Sequence, residues 1–275
     1  MLKHRILTAL VLIPLVVWAI LELSTQGLAL LLAVIVCAGA WEWSQMAGLR
    51  STSTRGAYVC AIALALFSLW QFIDAEYLYL WACGIALLWW IGSLALVINF
   101  QPEDGPNENS VGTRLAIGLV ILLPTWIALL GIQSHSSFGP AYVLGLLVLI
   151  WTADSGAYFA GRKWGESKLA PRVSPGKTRE GAYGGLAGVL LISLAWCLFE
   201  DFEPVKSLVF VGVSLITAAF SIQGDLVESL YKRKAGLKDS GKLLPGHGGV
   251  LDRVDSLTAA APVFLAGLLL LEKLT

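Results

Sequence analysis

Long apolar stretches, separated by short polar connections, make up most of this chain. A helix needs about 20 mostly apolar residues to cross a bilayer core. Runs of that order fall near residues 6–23, 27–47, 57–73, 78–99, 113–132, 140–160, 182–199, 206–225 and 254–272, the third being short. The pattern predicts an all-α, polytopic integral membrane protein with about nine transmembrane helices. Lys3, His4 and Arg5 precede the first run as they would in a signal peptide. No small-x-small cleavage pattern closes that run, so it is expected to stay as the first helix. The sequence has no internal repeat of the kind that marks many transporters.

Composition agrees with this pattern: of 275 residues 57% are hydrophobic and 14% charged, with a mean hydropathy of +0.74, outside the usual soluble range. Nineteen basic and nineteen acidic residues balance, and a neutral chain gives no reason to expect a nucleic-acid partner. Their placement says more, because Lys and Arg collect in cytoplasmic connections. With the N-terminus inside, all the basic residues but Lys206 and Lys273 fall on the inner side. A missed helix would reverse every later connection and destroy that bias. The expected topology therefore has a cytoplasmic N-terminus and a C-terminus on the opposite side. Residues 1–132 would form five N-terminal spans, and 133–275 a catalytic region of four spans with cytoplasmic loops at 161–181 and 229–253. The connection QPEDGPNENSVGTR reads as a solvated, turn-rich linker. The four cysteines lie in apolar runs without CxxC spacing and give no sign of a disulfide framework or zinc site.

An acid at the centre of a span costs about 2.5–3.5 kcal/mol, so each one needs a reason. Glu42 lies between Trp41 and Trp43, Asp154 within WTADSGAYFAGR, Asp225 and Glu228 at the end of the eighth span, and Asp252 and Asp255 at the start of the ninth. A separation of three residues lets each of the last two pairs project from one side of its helix. Four gathered carboxylates repel unless something positive lies between them. Mg²⁺ suits such hard oxygen ligands and is completed by waters and substrate phosphates. Ion pairs with neighbours such as Lys232 and Arg253 would also account for these acids. Glu42 has no account beyond a partner inside the bundle.

Two polar segments stand beside the acids. The first, GRKWGESKLAPRVSPGKTREG, contains GKT, but Pro171 stands where a P-loop needs glycine and a membrane helix rather than a strand precedes it. What remains is six basic side chains with Ser174 and Thr178, either a phosphate-facing surface or a loop that only sets topology. The second, SLYKRKAGLKDSGKLLPGHGGVLDRVDS, runs from cations through a glycine-rich turn to acids. Glycines allow close backbone approach to phosphate oxygens, and the free amides of a helix start favour an anion. Bases for phosphate beside acids for a metal are what a nucleoside triphosphate with Mg²⁺ requires. With His247 one of only three histidines, a multi-histidine zinc site is not expected.

The run from Ser229 to Asp255 resembles the signature of the phosphatidate cytidylyltransferases, or CDP-diacylglycerol synthases, and Asp154–Gly165 and Ser174–Gly181 are similar to that family's other polar blocks. Tyr231 stands where the family usually has an aliphatic residue or Phe. The resemblance implies conversion of CTP and phosphatidic acid to CDP-diacylglycerol and pyrophosphate in phospholipid biosynthesis. It implies Mg²⁺ or another divalent cation, with a second monovalent or divalent cation as a further expectation. Asp225 and Asp252 would be metal ligands supported by Glu228 and Asp255, with Asp225, Asp252, Asp255, Lys238 and Arg253 carrying catalysis. Substrate contacts would come from Asp154, Ser174, Lys177, Thr178, Arg179, Lys232, Arg233, Asp239 and the Pro245, Gly246, His247, Gly248 and Gly249 segment. The expected setting is a bacterial-type cell membrane, with the site facing the cytoplasm, membrane lipids around it and a homodimer as a further expectation. The alternatives are a CTP-dependent polyprenol or dolichol-type lipid kinase and, in another class, an ion-coupled transporter.

Overall fold

The structure, a computed structural model, describes residues 2–101, 110–135, 137–241, 243 and 248–274. Over these residues the chain forms nine helices: α1 (Leu2–Glu22), α2 (Thr25–Met46), α3 (Thr52–Trp70), α4 (Glu76–Ile98), α5 (Val111–Ser134), α6 (Gly139–Trp164), α7 (Arg179–Phe199), α8 (Pro204–Lys234) and α9 (Leu251–Leu274). Eight are long and apolar enough to cross a membrane, and α1 adds a shorter apolar stretch over Leu10–Glu22. The protein is therefore a polytopic helical membrane protein. The linker expected within QPEDGPNENSVGTR lies largely outside the described residues, as do Pro245, Gly246 and His247.

Cross-links between helix ends show which connections lie together. At one end Arg114 Nε donates to the carbonyl of Ala47 (2.8 Å), and Arg172 reaches the carbonyl of Phe100 (3.5 Å). At the other, Gln133 donates to the carbonyl of Leu23 (3.2 Å) and Lys273 approaches Glu76 at 4.0 Å. The alternation required of successive antiparallel spans is thus satisfied.

The bundle centres on α5 and α9, whose most apolar windows are 72% and 67% buried against 17% for α3. Both carry an internal proline, Pro124 and Pro262, which neighbouring polar groups make tolerable in a membrane helix. Thr125 supplies such a group, its hydroxyl standing 2.7 Å from the carbonyl of Ile121 and 3.1 Å from that of Thr258.

Small residues bring α6 and α7 together, as expected where apolar lipid leaves van der Waals packing to hold helices. A Cβ on Gly185 would stand 2.6 Å from the Ala153 carbonyl oxygen, and one on Gly156 2.7 Å from that of Gly184. The glycines of DSGAYFAG and GAYGG thus serve helix contact, and hold Asp154 on the wall of α6.

Two features differ from the apolar count. The helix expected at 206–225 continues to Lys234, because its last turns are polar and packed in protein rather than lipid; Lys232 and Arg233 are helical, not in a loop. Residues 168–178 form an antiparallel hairpin, β1 (Lys168–Ala170) with β2 (Ser174–Thr178), where only a basic loop was expected. The hairpin ends on Thr178, whose hydroxyl accepts the Gly181 amide and caps α7.

Candidate active site

The acids meet where α8 crosses α9. Gly224 makes the crossing close: a Cβ there would lie 2.6 Å from the carbonyl oxygen of Asp255. Asp225 and Glu228 consequently stand within electrostatic reach of Asp255. Glu228 is buried, and among the described residues no donor makes a well-formed hydrogen bond to its carboxylate oxygens. Lys232, one turn on, lies 3.5 Å from Glu228 and 2.7 Å from Asp252. A buried carboxylate held only by a lysine at 3.5 Å is under-satisfied, and such oxygens among neighbouring acids suit a hard cation in kind. Among the described residues no three acids, histidines or cysteines stand close enough to hold a metal ion as they are placed. A bound ion would have to draw its ligands together.

Asp252 organises the loop before α9. One oxygen faces Lys232, while the other accepts the backbone amides of Ser240 (2.9 Å) and Gly249 (2.8 Å). Ser240 Oγ in turn accepts the Asp252 amide at 3.2 Å. Only glycine fits next to it, since Gly248 has φ of 81° and a Cβ there would stand 2.6 Å from Asp252 Oδ2.

The same loop accounts for Glu42. Buried in α2, its carboxylate accepts the amides of Val250 (3.0 Å) and Leu251 (2.7 Å) and the Ser240 hydroxyl (3.1 Å). It satisfies the free amides at the start of α9, where a negative charge is favoured. The loop lies against it closely enough that a Cβ on Gly241 would come within 2.2 Å of Glu42 Oε1. The flanking tryptophans of the sequence gave no hint of this, because the partners lie about 200 positions away.

Two clefts border this assembly. One, of about 370 Å³, is lined by Asp154, Arg162, Gly176, Lys177 and Thr178 between α6, α7 and the hairpin. Lys177 pairs with Asp225 at 2.7 Å, so it joins the hairpin to the acid cluster. The other, of about 470 Å³, is lined by Trp41, Glu42, Arg55, Lys238, Asp239 and Ser240. The guanidinium of Arg55 lies 4.1 Å over the Trp41 ring and donates to the Trp41 carbonyl at 2.9 Å. Arg55 went unremarked in the sequence, where nothing distinguishes it from a topology-setting cation.

The remaining expected residues divide. Arg233 reaches the hairpin, donating to the carbonyl of Val173 at 3.4 Å. Lys238 and Asp239 are exposed in the second cleft. Ser174 stands half-buried at the start of β2, and Arg179 is exposed at the first turn of α7. Arg253 is exposed on α9 and faces away from the acids, toward an apolar cavity. Gly249 lies against Glu42 and Ser240, and its amide is held by Asp252.

Residues 3–271 match the cytidylyltransferase family. The chain is 44% identical over 269 residues to a phosphatidate cytidylyltransferase of Pseudomonas aeruginosa, covering 97% of this chain and 96% of that protein. It is 38% identical over 281 residues to one from Haemophilus influenzae, covering 96% and 97%. A Staphylococcus aureus phosphatidate cytidylyltransferase matches at 46% over 127 residues, 46% of this chain and 48% of that one.

Proposed function

We infer, from the premise that the chain belongs to the cytidylyltransferase family, that it is a phosphatidate cytidylyltransferase, a membrane nucleotidyltransferase that joins CTP and phosphatidic acid. The relatives speak for this rather than for a lipid kinase or transporter. The observation that carries the site assignment is the convergence of Asp225, Glu228, Asp252 and Asp255 with Lys177 and Lys232 between two clefts.

In the reaction a phosphatidate phosphate oxygen attacks the α-phosphorus of CTP. A new phosphorus–oxygen bond forms, the bond to the β-phosphate oxygen breaks, and pyrophosphate leaves with that electron pair. The nucleophile is already anionic near neutral pH, so no strong general base is needed. Two polyanions must instead be brought into line, which makes positioning and charge neutralisation the main sources of rate. Lys177, Arg179, Lys232, Arg233, Lys238 and Arg253 supply positive charge for the triphosphate and the lipid phosphate. Ser174, Thr178, Asp154, Asp239 and the 245–249 segment border the substrates. Asp225, Glu228, Asp252 and Asp255 would hold Mg²⁺ or another divalent ion, with a second cation beside it. Such an ion, when bound, neutralises oxygens of the triphosphate. Lys232 offsets the mutual repulsion of Glu228 and Asp252, and Asp252 steadies the loop before α9 through the amides of Ser240 and Gly249.

The distribution of Lys and Arg supports a cytoplasmic N-terminus and a site open to the cytosol. On this reading residues 133–275 are the catalytic region, and the five spans of residues 1–132 support it and add Trp41, Glu42 and Arg55 to the second cleft; the expected setting is a homodimer in a bacterial-type cell membrane.

The deciding experiment incubates detergent-solubilised protein with phosphatidic acid, labelled CTP and Mg²⁺. Labelled CDP-lipid together with pyrophosphate is expected; neither product under any divalent ion would remove the assignment. Lys238→Ala is expected to raise the KM for CTP about tenfold, the scale of one charge-assisted hydrogen bond, with membrane insertion intact. Unchanged KM and kcat would reduce Lys238 to a topology-setting charge.

A further inference from the structure

A third cavity lies across α9 from the acids. It measures about 250 Å³ and is enclosed by α1, α2, α5, α6 and the first two turns of α9. Its wall is apolar, with Ile20, Leu31, Leu129, Val143 and Trp151 among the lining side chains. Along α2 the lining runs from Leu28 to Val36, about 12 Å of helix axis. Arg253 is the single charged side chain on the wall, and no ion pair among the described residues uses it.

The helical repeat explains this arrangement. Asp252 and Asp255 are three apart and share the side of α9 that meets α8. Arg253, Val254, Leu257 and Thr258 stand at positions i, i+1, i+4 and i+5, which form the adjoining side toward the cavity. An apolar slot ending on one guanidinium with no ion pair among the described residues, within a bilayer-spanning bundle, complements a hydrocarbon chain that carries an anionic head. Arginine in particular matches the oxygens of a phosphate through paired donors.

We propose that this cavity takes one acyl chain of the phosphatidate, with Arg253 against its phosphate. The proposal rests on the phosphatidate reading above and deepens it. The acyl chain then lies across α9 from the acids, while Arg253, on the first turn of the helix beside Asp252, draws the lipid phosphate toward the end of α9 where the nucleotide is bound. Chain selectivity is set by the cavity, and chemistry by the acids.

The test uses the full-length protein in mixed micelles with dipalmitoyl or dihexanoyl phosphatidate. Leu31→Trp narrows the slot from a partly exposed position and should lower kcat/KM for the dipalmitoyl lipid about tenfold, the equivalent of about two lost buried methylenes. Dihexanoyl phosphatidate should suffer much less. Trp151→Ala widens the slot and should shift preference toward branched-chain phosphatidate. In parallel, a phosphatidate with a photoreactive acyl chain should label α9 near Leu257, with phosphatidate competing and phosphatidylcholine not. Equal loss on both lipids, no change in chain preference with Trp151→Ala, or equal competition by phosphatidylcholine would each overturn the proposal. If Leu31→Trp does not fold, Trp151→Ala and the labelling decide. The labelling needs no CTP, so an absence of CDP-lipid in the wild type would count against the enzymatic reading while the cavity is still tested.

Discussion

Asp252→Asn should lower kcat by about 10³-fold, the scale of losing a preorganised electrostatic group, in a protein that still inserts and folds. The substitution keeps one oxygen acceptor for the amides of Ser240 and Gly249 but removes the negative charge 2.7 Å from Lys232. Lys232 retains Glu228, at 3.5 Å, as its nearest ion pair among the described residues. The cluster thereby becomes one charge less negative and loses a proposed metal ligand. Purified variant and wild type would be compared for labelled CDP-lipid formed and for thermal stability in detergent. Activity near that of the wild type would sink the role given to Asp252.

The second large effect is expected at Glu42. Glu42→Ala leaves the buried Leu251 amide, the half-buried Val250 amide and a buried serine hydroxyl without an acceptor, at about 1–3 kcal/mol for each buried unsatisfied group. Thermal stability should fall and turnover should be lost. Glu42→Gln is the sharper test, because it keeps the side chain's size and one acceptor oxygen. It should stay folded while kcat/KM for CTP drops about tenfold, as the start of α9 and the Ser240 loop loosen. Glu42→Gln with wild-type CTP kinetics would leave Glu42 as a helix cap with no part in positioning the site.

These two residues also mark how far the sequence could be read. The spans were legible because the length of an apolar run and the bias of Lys and Arg are local, one-dimensional signals. Asp225, Glu228, Asp252 and Asp255 were legible because three-residue spacing and the flanking cations lie within two short segments. Helix ends were less so: α8 runs to Lys234 since its polar last turns are satisfied by protein, which an apolar count cannot register. The hairpin was hidden by Pro171 and Pro175, which weaken any strand pattern. Arg55 and the partners of Glu42 were invisible because their meaning depends on α2 lying beside a loop far along the chain.

That last separation has a consequence for how the protein is made. Helix α2 enters the membrane early in synthesis, whereas Ser240, Val250 and Leu251 emerge some 200 residues later. Until then the carboxylate of Glu42 lacks its final donors inside the bilayer, a state that is costly for an acid. Arrival of the last helix both relieves this cost and completes the active loop, so the site comes into being only when α9 is in place.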